Sequence, residues 1–229
     1  VIPYVMPGFD LARLCAEVFP RHVGNKTTGM VLLKHGIFSF GATARESYER
    51  MIALVDLAER YLERHKAWNL KPAAHDILKH EQRLEIATLR HQISGVAGNP
   101  MVIATHQDAR SVSFTQRSDI AVVSQQGPAT PDHVIRTKRI PMLDRDVGAY
   151  AQAYRDYFEQ HSRQAKDAKT MLDAAPRVVL DTRLGMCTAG RTAKDAAIVA
   201  DLYRHTMDVI ERAALLGGFQ ALPARDIFD

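Results

Sequence analysis

The apolar positions of this chain fall into short runs separated by long amphipathic stretches, the pattern of an α/β protein. Near the start, Ile2-Pro3-Tyr4-Val5 reads as a strand broken by Pro7-Gly8, and Asp10 is placed to cap a helix over 11–19. A polar turn at 24–29 (GNKTTG) leads into the continuous apolar run Met30-Val31-Leu32-Leu33, the mark of a buried strand. A second short strand covers 37–40 and closes at Gly41. Thr43, with Glu46 three residues on, has capping-box spacing. The helix behind it carries Met51, Leu54, Val55, Ala58, Tyr61 and Leu62 as one apolar stripe, with Glu59, Arg60, Glu63 and Arg64 outward.

Beyond a charged stretch around 66–83 the pattern resumes. A helix is predicted over 81–93, ended by Gly95 and Gly98, then strands over 101–104 and 120–123. Thr130-Pro131-Asp132 has the composition of a helix start, and 150–161 is helical. Arg177-Val178-Val179-Leu180 is another buried strand, and a long helix over 195–215 stops at Gly217-Gly218.

Two parts of this pattern match. Gly36-x4-Gly41-x-Thr43-Ala44-Arg45-Glu46 corresponds to Gly185-x4-Gly190-x-Thr192-Ala193-Lys194-Asp195, each position 149 residues before its counterpart (36 and 185, 41 and 190, 43 and 192). Upstream, Ile2-Pro3 matches Ile140-Pro141 at an offset of 138, which implies an 11-residue insertion before the second strand. The sequence thus predicts two layered α/β/α units, the second a degenerate copy of the first, with Leu184 where the first has His35. The boundaries expected are 1–66 for the first unit, 67–84 for a connection, 85–222 for the second unit and 223–229 for a tail leading to a further domain.

Composition changes this picture little. With 229 residues, 46% hydrophobic and 24% charged, the chain has the make-up of an ordinary globular protein, and no apolar run approaches a membrane span. Thirty basic against 26 acidic residues give a charge of +4, spread along the chain, so no nucleic-acid surface is expected. Arg136-Thr137-Lys138-Arg139 reads as a solvated face or an anion contact. Two lone cysteines, Cys15 and Cys187, point to a reducing, cytoplasmic setting. The start at Val1, without Met, suggests a processed or truncated chain.

The strongest chemical signal is His35, where a buried strand meets a glycine. An imidazole there can project from the sheet end and serve as a zinc ligand, although a lone histidine is more often packed or hydrogen-bonded. Other candidates are weaker. His106, Asp108, Asp132 and His133 match no standard metal spacing, and Asp132 suits a helix start. The 24–29 loop could cradle an anion but has the composition of a plain turn. Cys187 reads as core, and His75, His80 and His91 as surface residues.

Leu32-Leu33-Lys34-His35-Gly36 and the helix beyond Gly41 resemble the class II aldolase/adducin family, over about residues 1–65 and more faintly over the second unit. In that family the histidine of an L-x-x-H-G turn is one of three zinc-binding histidines, so the resemblance implies zinc at His35 and a lyase acting on a sugar or sugar phosphate. Zinc would polarise the substrate oxygens and a glutamate would move the proton. The family's H-x-H pair and glutamate lie upstream of this turn, and no H-x-H occurs in the chain, so they are expected before Val1. The paired arrangement resembles the aldolase portion of bifunctional rhamnulose-phosphate aldolase/short-chain dehydrogenase proteins. No tyrosine has a lysine four residues on and no strand leads into G-x-x-x-G-x-G, so dehydrogenase chemistry is expected beyond Asp229. A homo-oligomer is implied by the resemblance. A non-catalytic, adducin-like scaffold is the alternative it leaves open.

Overall fold

The computed structural model describes residues 1–72, 82–165 and 167–228. His75, His80, the expected helix start at Glu81 and the final Asp229 lie outside them. The chain divides into two units, Val1–Asn69 and Leu70–Asp229.

In the first unit, α1 (Phe9–His22) precedes an antiparallel hairpin of β1 (Gly29–Leu32) and β2 (Gly36–Ser39), followed by α2 (Ala44–Arg64). Ile2 alone represents the expected first strand, bridging parallel to Leu32. Pro3 lacks the N–H a longer ladder would use. Asp10 is not the cap of α1; Gly8 takes that place without a side-chain bond, and Asp10 sits in the first turn. Thr43 does cap α2, its hydroxyl accepting from the Glu46 N–H, while the Glu46 carboxylate accepts from Ala42 N. A Cβ on Gly29 would lie 2.4 Å from Phe38 O and 2.7 Å from Leu54 Cδ1, so glycine lets hairpin and helix close together there. Within the expected stripe of α2, Met51, Leu54 and Leu62 are half-buried, whereas Val55, Ala58 and Tyr61 are exposed.

The second unit is a mixed four-stranded sheet in the order β3-β6-β5-β4: β3 (Val102–His106), β6 (Gly185–Gly190), β5 (Val178–Asp181) and β4 (Met142–Leu143). Only β4 and β5 run parallel. Helices cover both faces. Leu89 and Ile93 of α3 (Arg83–Ala97) and Val147 of α7 (Val147–Ser162) pack with Met101, Met142, Val179, Leu184 and Cys187. Phe114 of α4 (Ala109–Thr115) and Val199, Tyr203, Met207 and Ile210 of α8 (Ala193–Ala214) pack with Val178, Leu180 and Met186. Successive residues of β5 therefore feed opposite cores, as a strand covered on both sides must. This is the expected α/β class.

In the second unit three elements differ from expectation. Residues 120–123 form a helical turn, α5 (Ile120–Val123), not a strand: Ile120 and Val123 share one face at i and i+3 and pack on the α8-side core. α3 runs through Gly95 to Ala97 and ends where Gly98 takes left-handed backbone. Residues 136–139 are only in part a solvated face; after a 3-10 turn (Pro131–His133) and α6 (Val134–Thr137), Arg136 is exposed but Thr137 and Lys138 are both buried. A last short helix, α9 (Ala224–Phe228), follows α8.

The two hairpins share a register. Gly29 faces Ser39 as Val178 faces Thr188, and Leu32 faces Gly36 as Asp181 faces Gly185, every position 149 on. Thr192 caps α8 through Asp195 N as Thr43 caps α2. Ile2 N donates to Val31 O, and the matching bond to Leu180 O comes from Asp144, so Ile2 corresponds to Asp144 rather than Ile140.

Candidate functional site

His35 occupies the tight turn between β1 and β2. Its preceding residue, Lys34, has φ 64°, and Gly36 has φ 133°, so the chain reverses within three residues and presents the imidazole at the end of the hairpin. The ring is half-buried and stacks on Tyr4, centroids 5.1 Å apart. Nε2 lies 2.8 Å from Val5 O. A carbonyl only accepts, so Nε2 carries a proton and donates, which leaves Nδ1 as the nitrogen available to a metal. One ring nitrogen held by a backbone carbonyl is how metal-binding imidazoles are commonly oriented. The stack and the bond both engage the short segment opened by Ile2, which explains why that segment lies beside the turn.

These residues fit one ligand of a zinc centre and not the centre itself. A catalytic zinc takes about three protein ligands, and among the described residues no group of three His, Cys, Asp or Glu side chains lies together.

In the second unit the corresponding turn is built differently. Leu184 stands at the position of His35 and is fully buried. Asp181 organises the turn, accepting from Arg183 N and Leu184 N and taking a two-point contact from Arg145. Burial alone would raise the Asp181 pKa, but the Arg145 contact and the two backbone N–H groups outweigh it, and the net shift is downward. Arg145 also reaches Glu85, and Arg183 pairs with the same carboxylate.

Among the described residues, His106 and His133 belong to no group of metal-binding side chains. His106 Nδ1 accepts from Arg204, so Nε2 carries the proton toward Thr188 Oγ1, 3.0 Å away. Both ring nitrogens are used, and burial, then the Arg204 charge, lowers the His106 pKa and keeps the ring neutral. Asp108 caps α4 through Ser111. His133 lies edge-on to His205, and burial, then His205, lowers its pKa. Thr27 closes the 24–29 loop by bonding Gly24 in both directions, a local turn. His91 is exposed and Cys187 is core. The sequence reading missed the buried Lys138, whose only signal was a basic run of common appearance.

Residues 80–229 match the family model described as the second domain of class II aldolase, and residues 1–62 match the class II aldolase and adducin N-terminal domain. The chain belongs to the class II aldolase/adducin family. A relative from Bacillus subtilis (strain 168), named as the uncharacterized oxidoreductase YuxG, is 28% identical over 246 residues, covering 96% of this chain. The chain spans only 34% of that relative's length. No solved structure matches. Among the described residues no helix is long and apolar enough to cross a membrane.

Proposed function

We propose that this chain is part of a zinc-dependent class II aldolase, a lyase cleaving a sugar or sugar phosphate, to which His35 contributes one zinc ligand. The observation that carries the reading is the His35 turn: a family-type L-x-x-H-G segment whose imidazole is oriented through Nε2 and leaves Nδ1 for a metal. The remaining ligands then come from outside the described residues. In this reading the whole protein is a bifunctional rhamnulose-phosphate aldolase/short-chain dehydrogenase type, assembled as a homo-oligomer in the cytoplasm. The Bacillus relative, named as an oxidoreductase and about three times as long as the stretch it shares, supports the fusion.

The second unit is a degenerate copy of the first. Common hairpin register, common caps and common spacing support this reading. The Ile2 and Asp144 correspondence, 142 residues apart against 149 for the hairpins, shortens the inferred insertion to seven residues. With Leu184 buried in a core, chemistry falls to the first copy alone.

The test is the zinc content of the full-length protein with and without His35→Ala, read by elemental analysis beside aldolase assays. About one zinc per subunit, lost in the variant, is expected. Equal metal in both proteins, or none in either, overturns the reading and favours a non-catalytic, adducin-like scaffold.

A further inference from the structure

A cleft of about 270 Å³ in the second unit is lined by Arg136, Lys138, Arg177 and Arg191, with Asp173 and Asp195 as its carboxylates. Both carboxylates are committed. Asp173 pairs with Arg177 and accepts from Ala175 N, and Asp195 bonds the Thr192 hydroxyl at the first turn of α8. Arg136 reaches Asp195 only at 3.8 Å, and among the described residues Arg191 has no hydrogen-bond or ion-pair partner. Gly190 brings these groups together: a Cβ there would stand 2.3 Å from Ala196 N, so only glycine lets the end of β6 abut the start of α8.

Lys138 is the unusual member. It is 3% exposed, yet among the described residues no carboxylate is in salt-bridge contact with its ammonium. Nζ donates to the Asp173 carbonyl and lies 4.2 Å from the centre of the Tyr154 ring, both neutral groups. Its backbone has φ 64° and ψ 173°, a region strained for a non-glycine residue. A buried cation without a counter-ion is costly. Burial, then the neighbouring Arg177, pushes its pKa down to about 8, against the opposing pull of the nearby Asp173 charge.

We infer that this cleft is a binding site for a small phosphorylated metabolite, with Lys138, Arg136 and Arg191 receiving the phosphate. Four cations against two engaged carboxylates leave an excess of two positive charges, matching a phosphate monoester. The volume falls just below the roughly 300–1,000 Å³ of pockets that take drug-sized ligands, which suits a small metabolite. The site lies wholly within the second unit and does not rest on the role of His35.

The test is calorimetric titration of the protein with inorganic phosphate as probe. Saturable binding is expected, weakened about tenfold in Arg191→Ala and in Arg136→Ala, and unchanged in His35→Ala. Lys138→Met is expected to abolish binding with the thermal melt retained; should that variant unfold, the two exposed arginines decide. Absence of saturable binding, or equal binding in wild type and both arginine variants, overturns the site.

Discussion

At the residue scale, burial decides the chemistry of side chains that look alike in sequence. Cys187 is in the core, where burial, then the Asp181 charge, pushes its thiol up to about 12; Cys15 is half-buried on α1. Alkylation at pH 8, followed by peptide mass analysis, is expected to modify Cys15 and spare Cys187 until the second unit is denatured. Asp181 joins a turn, an arginine and two backbone N–H groups. Asp181→Asn is expected to cost about 3 kcal/mol in denaturant unfolding, because it removes the charged two-point contact of a buried carboxylate with Arg145, leaving that arginine Glu85 alone, and weakens both turn bonds. Its carboxyl pKa is lowered in the folded state, so its contribution is present in full above the ordinary carboxyl range near 4 and is lost as pH falls through the folded value. The variant should therefore lose less stability on acidification than the wild type, measured by melts between pH 6 and 3.

Elements of similar pattern meet different fates. α2 and α8 share a threonine cap and an apolar stripe and run to 21 and 22 residues, yet α8 buries Val199, Tyr203, Met207 and Ile210 while α2 buries no residue fully. Met207→Ala is expected to cost about 2–5 kcal/mol, whereas Ile52→Ala on α2, 53% exposed, should stay within about 0.5 kcal/mol. Thr192→Ala removes a cap bond and should cost about 1 kcal/mol. Chemical unfolding of the three variants separates these magnitudes.

For the whole molecule, both large cores belong to the second unit. Among the described residues of the first, only Ile2, Leu32 and Ala67 are buried hydrophobics. Residues 70–229 expressed alone are expected to unfold cooperatively, and residues 1–69 alone are not, as circular dichroism melts would show. A cooperative transition of the first unit in isolation would contradict the weight given to burial.

The sequence by itself determined the α/β class, the strands at 30–33, 37–40 and 177–180, both long helices and the 149-residue correspondence, because strand runs, glycine turns and Thr caps are local signals. It also marked His35, since a histidine between an apolar run and a glycine is visible without a fold. Only the tertiary structure decided that 120–123 turn as a helix, that Asp144 rather than Ile140 matches Ile2, and that both nitrogens of His106 are engaged. It alone placed Lys138 among arginines from other elements. The physical reason is the same in each case: a side chain's charge and hydrogen bonds depend on neighbours distant in sequence, and no local pattern encodes which of them will arrive.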